Sequence, residues 1–259
     1  MIDLHCHVLP GIDDGPATIE GSLALARAAV AEGTRIVVAT PHVSSRYRND
    51  PETIARGVDE LNERLTAEGV ALEVRRGAEL AMTRVVEMDA AQVARFALGG
   101  GEWLLVECPL SPAPTGFDIV VLDLQRRGHR VLLAHPERSP TFQREPSKLE
   151  SLVAAGALTS ITAGALVGRF GGEARRFALR LVHDGMAHNV ASDAHDHIHR
   201  PPEIATDLRT AGLEPLVDWL TRAVPGAILA GGEIPPRPAI AALPVVEQPQ
   251  RSRWRLPRR

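Results

Sequence analysis

Short apolar, β-branched runs alternate with longer stretches of helical periodicity along most of the chain. The runs at residues 2–6, 35–40, 71–76, 103–108, 130–134, 158–162 and 188–191 predict seven strands. Between them, residues 19–31, 51–67, 85–98, 118–127, 148–155 and 173–183 carry the spacing of crossover helices, many of them ending near glycine. Such alternation favours an α/β fold with a parallel sheet, and seven units without internal repetition favour a closed barrel over an open doubly wound sheet. No Gly-x-Gly-x-x-Gly follows the first run, which counts against a dinucleotide-binding fold. The pattern fails after about Glu233, where prolines and arginines take over. The chain therefore reads as one domain over residues 1–232 and a disordered Pro/Arg-rich tail over 233–259.

Composition narrows the function classes. A chain of 259 residues with 44% hydrophobic content can bury one substantial core. A formal charge of −3 argues against a broadly basic nucleic-acid surface, so no nucleic-acid partner is expected. Cys6 and Cys108 are the only cysteines, too few for a disulfide framework, and each sits in an apolar run as a buried small hydrophobe. No apolar segment approaches the roughly 20 residues that span a bilayer, and His5 falls too early for a signal peptide, so a cytoplasmic location is expected.

The chemistry collects at the ends of the predicted strands. The first strand supplies His5 and His7 and leads into Asp13 and Asp14; the second leads to His42 and the third to Glu79. The fourth carries Glu107, the fifth leads to His135 and Arg138, and the seventh to Asp193 and His195. In a parallel barrel these ends meet on the one face where such folds hold their active sites. Residues i and i+2 of a strand point the same way, so His5 and His7 can share an ion while Cys6 faces away. Imidazole and carboxylate donors without thiolate suit Mn, Fe or Zn. Asp13 and Asp14 are adjacent candidates, and Asp196-His197-Ile198-His199 offers a second His-x-His beside the first. Asp3 is a candidate for orienting a ligand histidine, and Tyr47, the sole tyrosine, lies in a loop expected near the mouth of the site.

The run from His5 through Gly15, followed in order by Thr40-Pro41-His42, Gly77-Ala78-Glu79, His135-Pro136-Glu137-Arg138, Thr162-Ala163-Gly164 and Ser192-Asp193-Ala194-His195, resembles the PHP (polymerase and histidinol phosphatase) superfamily. Within it, the chain is most similar to the bacterial protein-tyrosine phosphatases of capsule and exopolysaccharide biosynthesis. The resemblance implies a distorted seven-stranded (β/α)7 TIM-like barrel holding three divalent metals, Mn first, with Fe, Zn or Co as alternatives. It implies one ion on His5, His7, Glu79 and Asp193, a second on Asp14, His42 and His195, and a third on Glu79, Glu107 and His135. Arg138 and Arg200 would clamp the phosphate. Four carboxylates against six positive charges leave such a site attractive to a dianion. A metal-lowered water pKa then supplies the nucleophile at neutral pH. The resemblance further implies a phosphotyrosine protein substrate, a membrane-associated tyrosine kinase among them.

Rival functions separate by residues. An amidohydrolase would want a carboxylated lysine at a middle strand end, whereas Lys148, the only lysine, opens a helix. A cysteine phosphatase needs Cys-x5-Arg, but Ile12 and Pro114 stand at that offset. A histidinol-phosphatase-like or phosphodiester hydrolase, and a non-catalytic metal-binding regulator, remain as alternatives. Arg251, Arg253, Arg255, Arg258 and Arg259 around Trp254 offer contact with an anionic membrane or acidic partner.

Overall fold

A computed structural model describes residues 1–111 and 116–239. Its strands are β1 (Ile2–Cys6), β2 (Ile36–Ala39), β3 (His42–Val43), β4 (Glu73–Arg76), β5 (Glu79–Leu80), β6 (Trp103–Glu107), β7 (Arg130–Ala134), β8 (Leu158–Thr162) and β9 (Asn189–Ala191). All strand pairings are parallel. Leu4, Val37, Leu104, Val131, Ile161 and Val190, one from each of six strands, are fully buried. Each contributes about 1.5–3 kcal/mol of apolar burial, which is why the strands read as near-continuous hydrophobic runs.

Helices pack around the strands by their apolar stripes. In Pro51–Ala67 the stripe is Ile54, Val58, Leu61 and Leu65; Pro51 opens the helix and the Asp50 side chain accepts from Thr53 N at 2.7 Å. The expected helix over 85–98 is instead Met82–Val85, Ala90–Ala94 and a single 3-10 turn. Asp89 causes the restart, because its carboxylate accepts from Gln92 N while the Gln92 side chain accepts from Asp89 N. Helices at Ile204–Thr210 and Val224–Ala230 lie beyond the last predicted element, the second concealed by Pro225 at its start.

Strand pairing does not give the single closed seven-stranded barrel expected. It gives a three-stranded sheet in the order β1-β2-β4 and a six-stranded sheet in the order β3-β5-β6-β7-β8-β9. Beyond the expected strands 35–40 and 71–76 the chain resumes each time as a short further strand that joins the other sheet. Pro41, which has no N–H to offer a ladder, separates β2 from β3, and Gly77 separates β4 from β5. A β-carbon on Gly77 would stand 2.7 Å from Val38 Cγ1, so glycine is required where the backbones draw together. At the other edge β9 meets β1 through one bridge, Cys6 with Ala194, flanked by Asp193 N→His5 O at 2.8 Å and His7 N→Ala194 O at 2.9 Å. These breaks place His42 and Glu79 just past β2 and β4, as the first residues of β3 and β5, while His7 and Asp193 lie just past the carboxyl ends of β1 and β9.

The first residues of the expected tail are docked. Ile234 packs against the core and Trp219 Nε1 donates to Pro235 O at 3.0 Å. The basic cluster around Trp254 lies outside the described residues.

Candidate metal and phosphate site

His5, His7, Glu79, His135, Asp193 and His195 are all buried polar residues at or just past strand ends. The distances show one continuous cluster. His5 Nε2 and His7 Nε2 are 3.3 Å apart. Glu79 Oε2 lies 3.4 Å from His5, 3.5 Å from His7 and 2.9 Å from His42, while its Oε1 is 2.8 Å from His135 Nε2. Asp193 Oδ1 stands 3.4 Å from His5 and 3.5 Å from His7. Asp14 Oδ1 is 3.4 Å from His42 Nε2 and 3.3 Å from His195 Nε2.

Four sets of donor atoms are close enough to hold a cation: His7, Asp14, His42 and His195; His5, His7 and Asp193; His5, Glu79 and His135; and His42, Glu79 and Glu107. All nine residues expected to bind metal fall in these sets. His7 also joins the Asp14 set, His5 faces the Glu79–His135 pair, and His42 stands beside Glu107.

The donor chemistry fits divalent cations. His135 Nδ1 is buried without a hydrogen-bond partner, a cost that buried polar atoms rarely bear idly. Burial would raise the Glu79 carboxyl, but His5, His135 and His42 around it outweigh that and hold it well below the usual range. Glu107 is pushed up to about 7 by burial and then by the neighbouring Glu79 carboxylate. Crowded carboxylates of this kind repel one another unless a cation lies between them. Burial lowers His135 and His195, favouring the neutral imidazole that metals bind.

Two ligands bear unusual backbones. Among the described residues, His135 (φ 35°) and Asp193 (φ 50°) alone of the non-glycine residues have positive φ. Each such residue costs on the order of 1–3 kcal/mol, and the surrounding fold over-determines both. His135 N donates to Ser160 O at 2.9 Å, and Asp193 N to His5 O.

Neighbouring groups aim the ligands. Asp13 Oδ2 lies 2.7 Å from His7 Nδ1 and accepts from His42 N at 3.1 Å, so of the two adjacent carboxylates Asp13 orients and Asp14 faces the cluster. Burial opposes protonation of His7, but Asp13, Asp193 and Glu79 overcome it and raise His7 well above its ordinary value. The hydrogen bonds of Asp3 run to backbone and to Ser192. Asp3 accepts from Ser192 Oγ at 2.6 Å, Ser192 N at 3.1 Å and His5 N at 3.2 Å, tying β1 to the end of β9. Asn49 Nδ2 donates to His42 O at 2.9 Å and Ile12 O at 3.0 Å. Glu137 Oε1 accepts from Thr162 N at 3.1 Å, joining the ends of β7 and β8. The Tyr47 ring stacks on His42, centroids 5.8 Å apart and 10° from parallel. His197 and His199 are exposed, and His199 pairs with Asp196 at 3.5 Å, so neither joins the donor sets.

Arg138 Nη1 and Arg200 Nη2 each donate to Asp193 Oδ2 at 2.6 Å, so the two expected clamp residues meet on one carboxylate beside the ligands. Arg200 Nε is buried without a partner. Cys6 and Cys108 are buried free thiols, pushed well above their ordinary value chiefly by burial. Neither is a nucleophile in this setting. No helix among the described residues is long and apolar enough to cross a membrane.

Comparison with known proteins agrees with this geometry. Residues 1–212 match the family model for capsular polysaccharide synthesis, CpsB/CapC. The chain is 41% identical over 197 residues to the tyrosine-protein phosphatase YwqE of Bacillus subtilis, covering 76% of this chain and 78% of that protein. It is 32% identical over 202 residues to CapC of Staphylococcus aureus, covering 78% of this chain and 79% of that protein. A crystal structure from work on YwqE and on CpsB from Streptococcus pneumoniae, described as metal-dependent tyrosine phosphatases, superposes with a TM-score of 0.82 at 37% identity, covering 93% of this chain and 100% of that one. With the family model spanning most of its length, the chain belongs to the CpsB/CapC family of capsular polysaccharide synthesis.

Proposed function

We propose that the chain is a metal-dependent protein-tyrosine phosphatase, a phosphoric monoester hydrolase serving capsule or exopolysaccharide synthesis. The observation that carries this reading is the convergence of nine imidazole and carboxylate donors with Arg138 and Arg200 on the shared ligand Asp193. The names of the similar phosphatases support it. Three divalent ions, Mn foremost, are assigned to His5, His7, Asp14, His42, Glu79, Glu107, His135, Asp193 and His195, with Glu79 shared. When bound, such ions supply Lewis acidity and lower the pKa of water toward 7.

The protein's own groups do the rest. Arg138 and Arg200 keep further N–H donors beyond those spent on Asp193, including the unpartnered Arg200 Nε, and a planar guanidinium matches phosphate oxygens. They bind the dianion and stabilise charge gathering on its oxygens as a water oxygen bonds to phosphorus, the bond from phosphorus to the aryl oxygen breaks, and the phenol leaves with a proton that the water gave up. Asp13 fixes the His7 ring, and the Asp3–Ser192 latch holds the backbone that carries Asp193. Two sheets that share this rim, linked at Cys6–Ala194, are read as one interrupted seven-stranded barrel. The substrate is assigned as phosphotyrosine on a membrane-associated capsule kinase, met from the cytoplasm, with the Arg-rich C-terminal segment as an electrostatic contact.

The test is a substrate panel on the metal-reconstituted protein: phosphotyrosine peptide, phosphoserine peptide and histidinol phosphate. Turnover of the phosphotyrosine peptide well above the others is expected. Preference for histidinol phosphate would replace this reading with a small-phosphate hydrolase.

A further inference from the structure

Beside the arginine pair lies a cavity of about 220 Å³ lined by Leu110, Arg138, Gln143, Phe170 and Ala174. Its walls divide by chemistry. Arg138 marks the end toward Asp193 and the donor cluster, while Leu110, Phe170 and Ala174 make the rest apolar. Gln143 is turned away in part, its Nε2 donating to Glu137 O at 2.8 Å. The volume falls below the roughly 300–1,000 Å³ of pockets for drug-sized ligands and suits a single side chain.

Phe170 is placed there by its surroundings. Gly168 (φ 95°) and Gly171 (φ 90°) flank it in conformations that side chains disfavour, so the loop turns sharply on both sides of the ring. A β-carbon on Gly164 would come within 3.2 Å of Phe170 Cε2 and of Arg169 Cδ, which gives the Thr162-Ala163-Gly164 motif a purpose: it leaves the ring its room. The Phe170 ring lies 4.3 Å from the Arg138 guanidinium carbon and 5.9 Å from that of Arg200. It is only partly buried, although aromatic rings held by the core alone are usually covered.

We propose that this cavity is the aryl-binding subsite, in which the ring of the substrate's phosphotyrosine lodges against Phe170 while Arg138 at the cavity's inner end holds the phosphate. The proposal rests on the phosphatase reading and adds the residues that select an aromatic leaving group. Phe170 acts twice: as the wall that an incoming ring meets in an offset or edge contact, and as the platform that keeps Arg138 in place. Leu110 and Ala174 close the apolar side.

Two non-hydrolysable dianions, phenylphosphonate and methylphosphonate, test it as ligands of the metal-loaded protein. The wild type should bind the phenyl compound about tenfold more tightly, equivalent to 1.4 kcal/mol. Phe170→Leu should erase most of that ratio and Phe170→Tyr should restore it. Ala174→Leu, which fills the cavity from its apolar wall, should reverse the preference. Metal content and the unfolding midpoint of each variant report whether it has folded. A wild-type ratio near one overturns the proposal. So does a Phe170→Leu variant that weakens both ligands equally while Ala174→Leu changes neither, since Phe170 would then only support Arg138. Failure of the phosphatase reading looks different: the wild type would leave phosphotyrosine peptide intact whatever the phosphonate ratio.

Discussion

The two halves of the site are built by different means. The metal-facing half takes its ligands from strand ends, buries most of them completely and fixes them through one another and through Asp13. The phosphate-facing half comes from loops and short turns, where the Arg138 and Arg200 side chains remain 16% and 31% exposed and are held by Asp193 and the Phe170 ring. A rigid cluster that must keep several like charges together needs the strands. A clamp that must admit and release a dianion needs groups with donors to spare.

Removing Glu79 should separate the halves most sharply, because its two oxygens reach His5, His7, His42 and His135. Glu79→Ala is expected to lose metal and at least about 10³-fold in kcat, the upper range for one electrostatic group. Metal analysis beside single-turnover kinetics checks both. Arg138→Ala should cost about 10²–10³-fold in kcat/KM while keeping full metal content, since the Arg138 side chain meets the ligands at Asp193 and its backbone bond to His135 O survives the change. Loss of metal in that variant would merge the two halves. Asp13→Asn should weaken metal affinity by about 10–100-fold, as expected for a group that only orients a ligand, and excess metal should rescue turnover.

The smallest effects lie outside the site. His188 is lowered to about 4 by burial first and by Arg237 second, against an ordinary 6.5. Between those values the unfolded chain binds the extra proton, so stability rises with pH across the window and is lost as pH falls through it. The slope is at most about 1.4 kcal/mol per pH unit. His188→Gln should flatten it in urea midpoints taken at pH 5 and 7, without altering activity at neutral pH. Replacing Cys6 and Cys108 together by alanine should leave turnover within about threefold, because both thiols are buried and neither enters the donor sets.

The same contrast governs what the sequence displays. The metal half is legible because a strand alternates with period two and because His5, His7, Glu79, His135 and Asp193 sit at abrupt ends of apolar runs. Choosing Asp14 over Asp13 needed more than spacing, and only the geometry shows that Asp13 turns back to His7. Phe170 carried no signal: one aromatic in a glycine-rich stretch looks like loop until its ring is seen beside two guanidinium groups. The breaks at Pro41 and Gly77 follow from local covalent chemistry, yet their result, two sheets in place of one ladder, depends on which strands pair across them. The helix at Val224–Ala230 stayed hidden because Pro225 reads as a breaker where it is in fact an opener.

The most direct measurement of the central claim is a chelation and reconstitution series on the full chain, with metal content and phosphotyrosine-peptide hydrolysis read from the same samples. Activity should vanish with the metal and return with Mn in proportion to occupancy, reaching its maximum only when more than one ion is bound per chain. Undiminished hydrolysis in metal-free protein, or full metal loading with no phosphotyrosine turnover, would contradict the account.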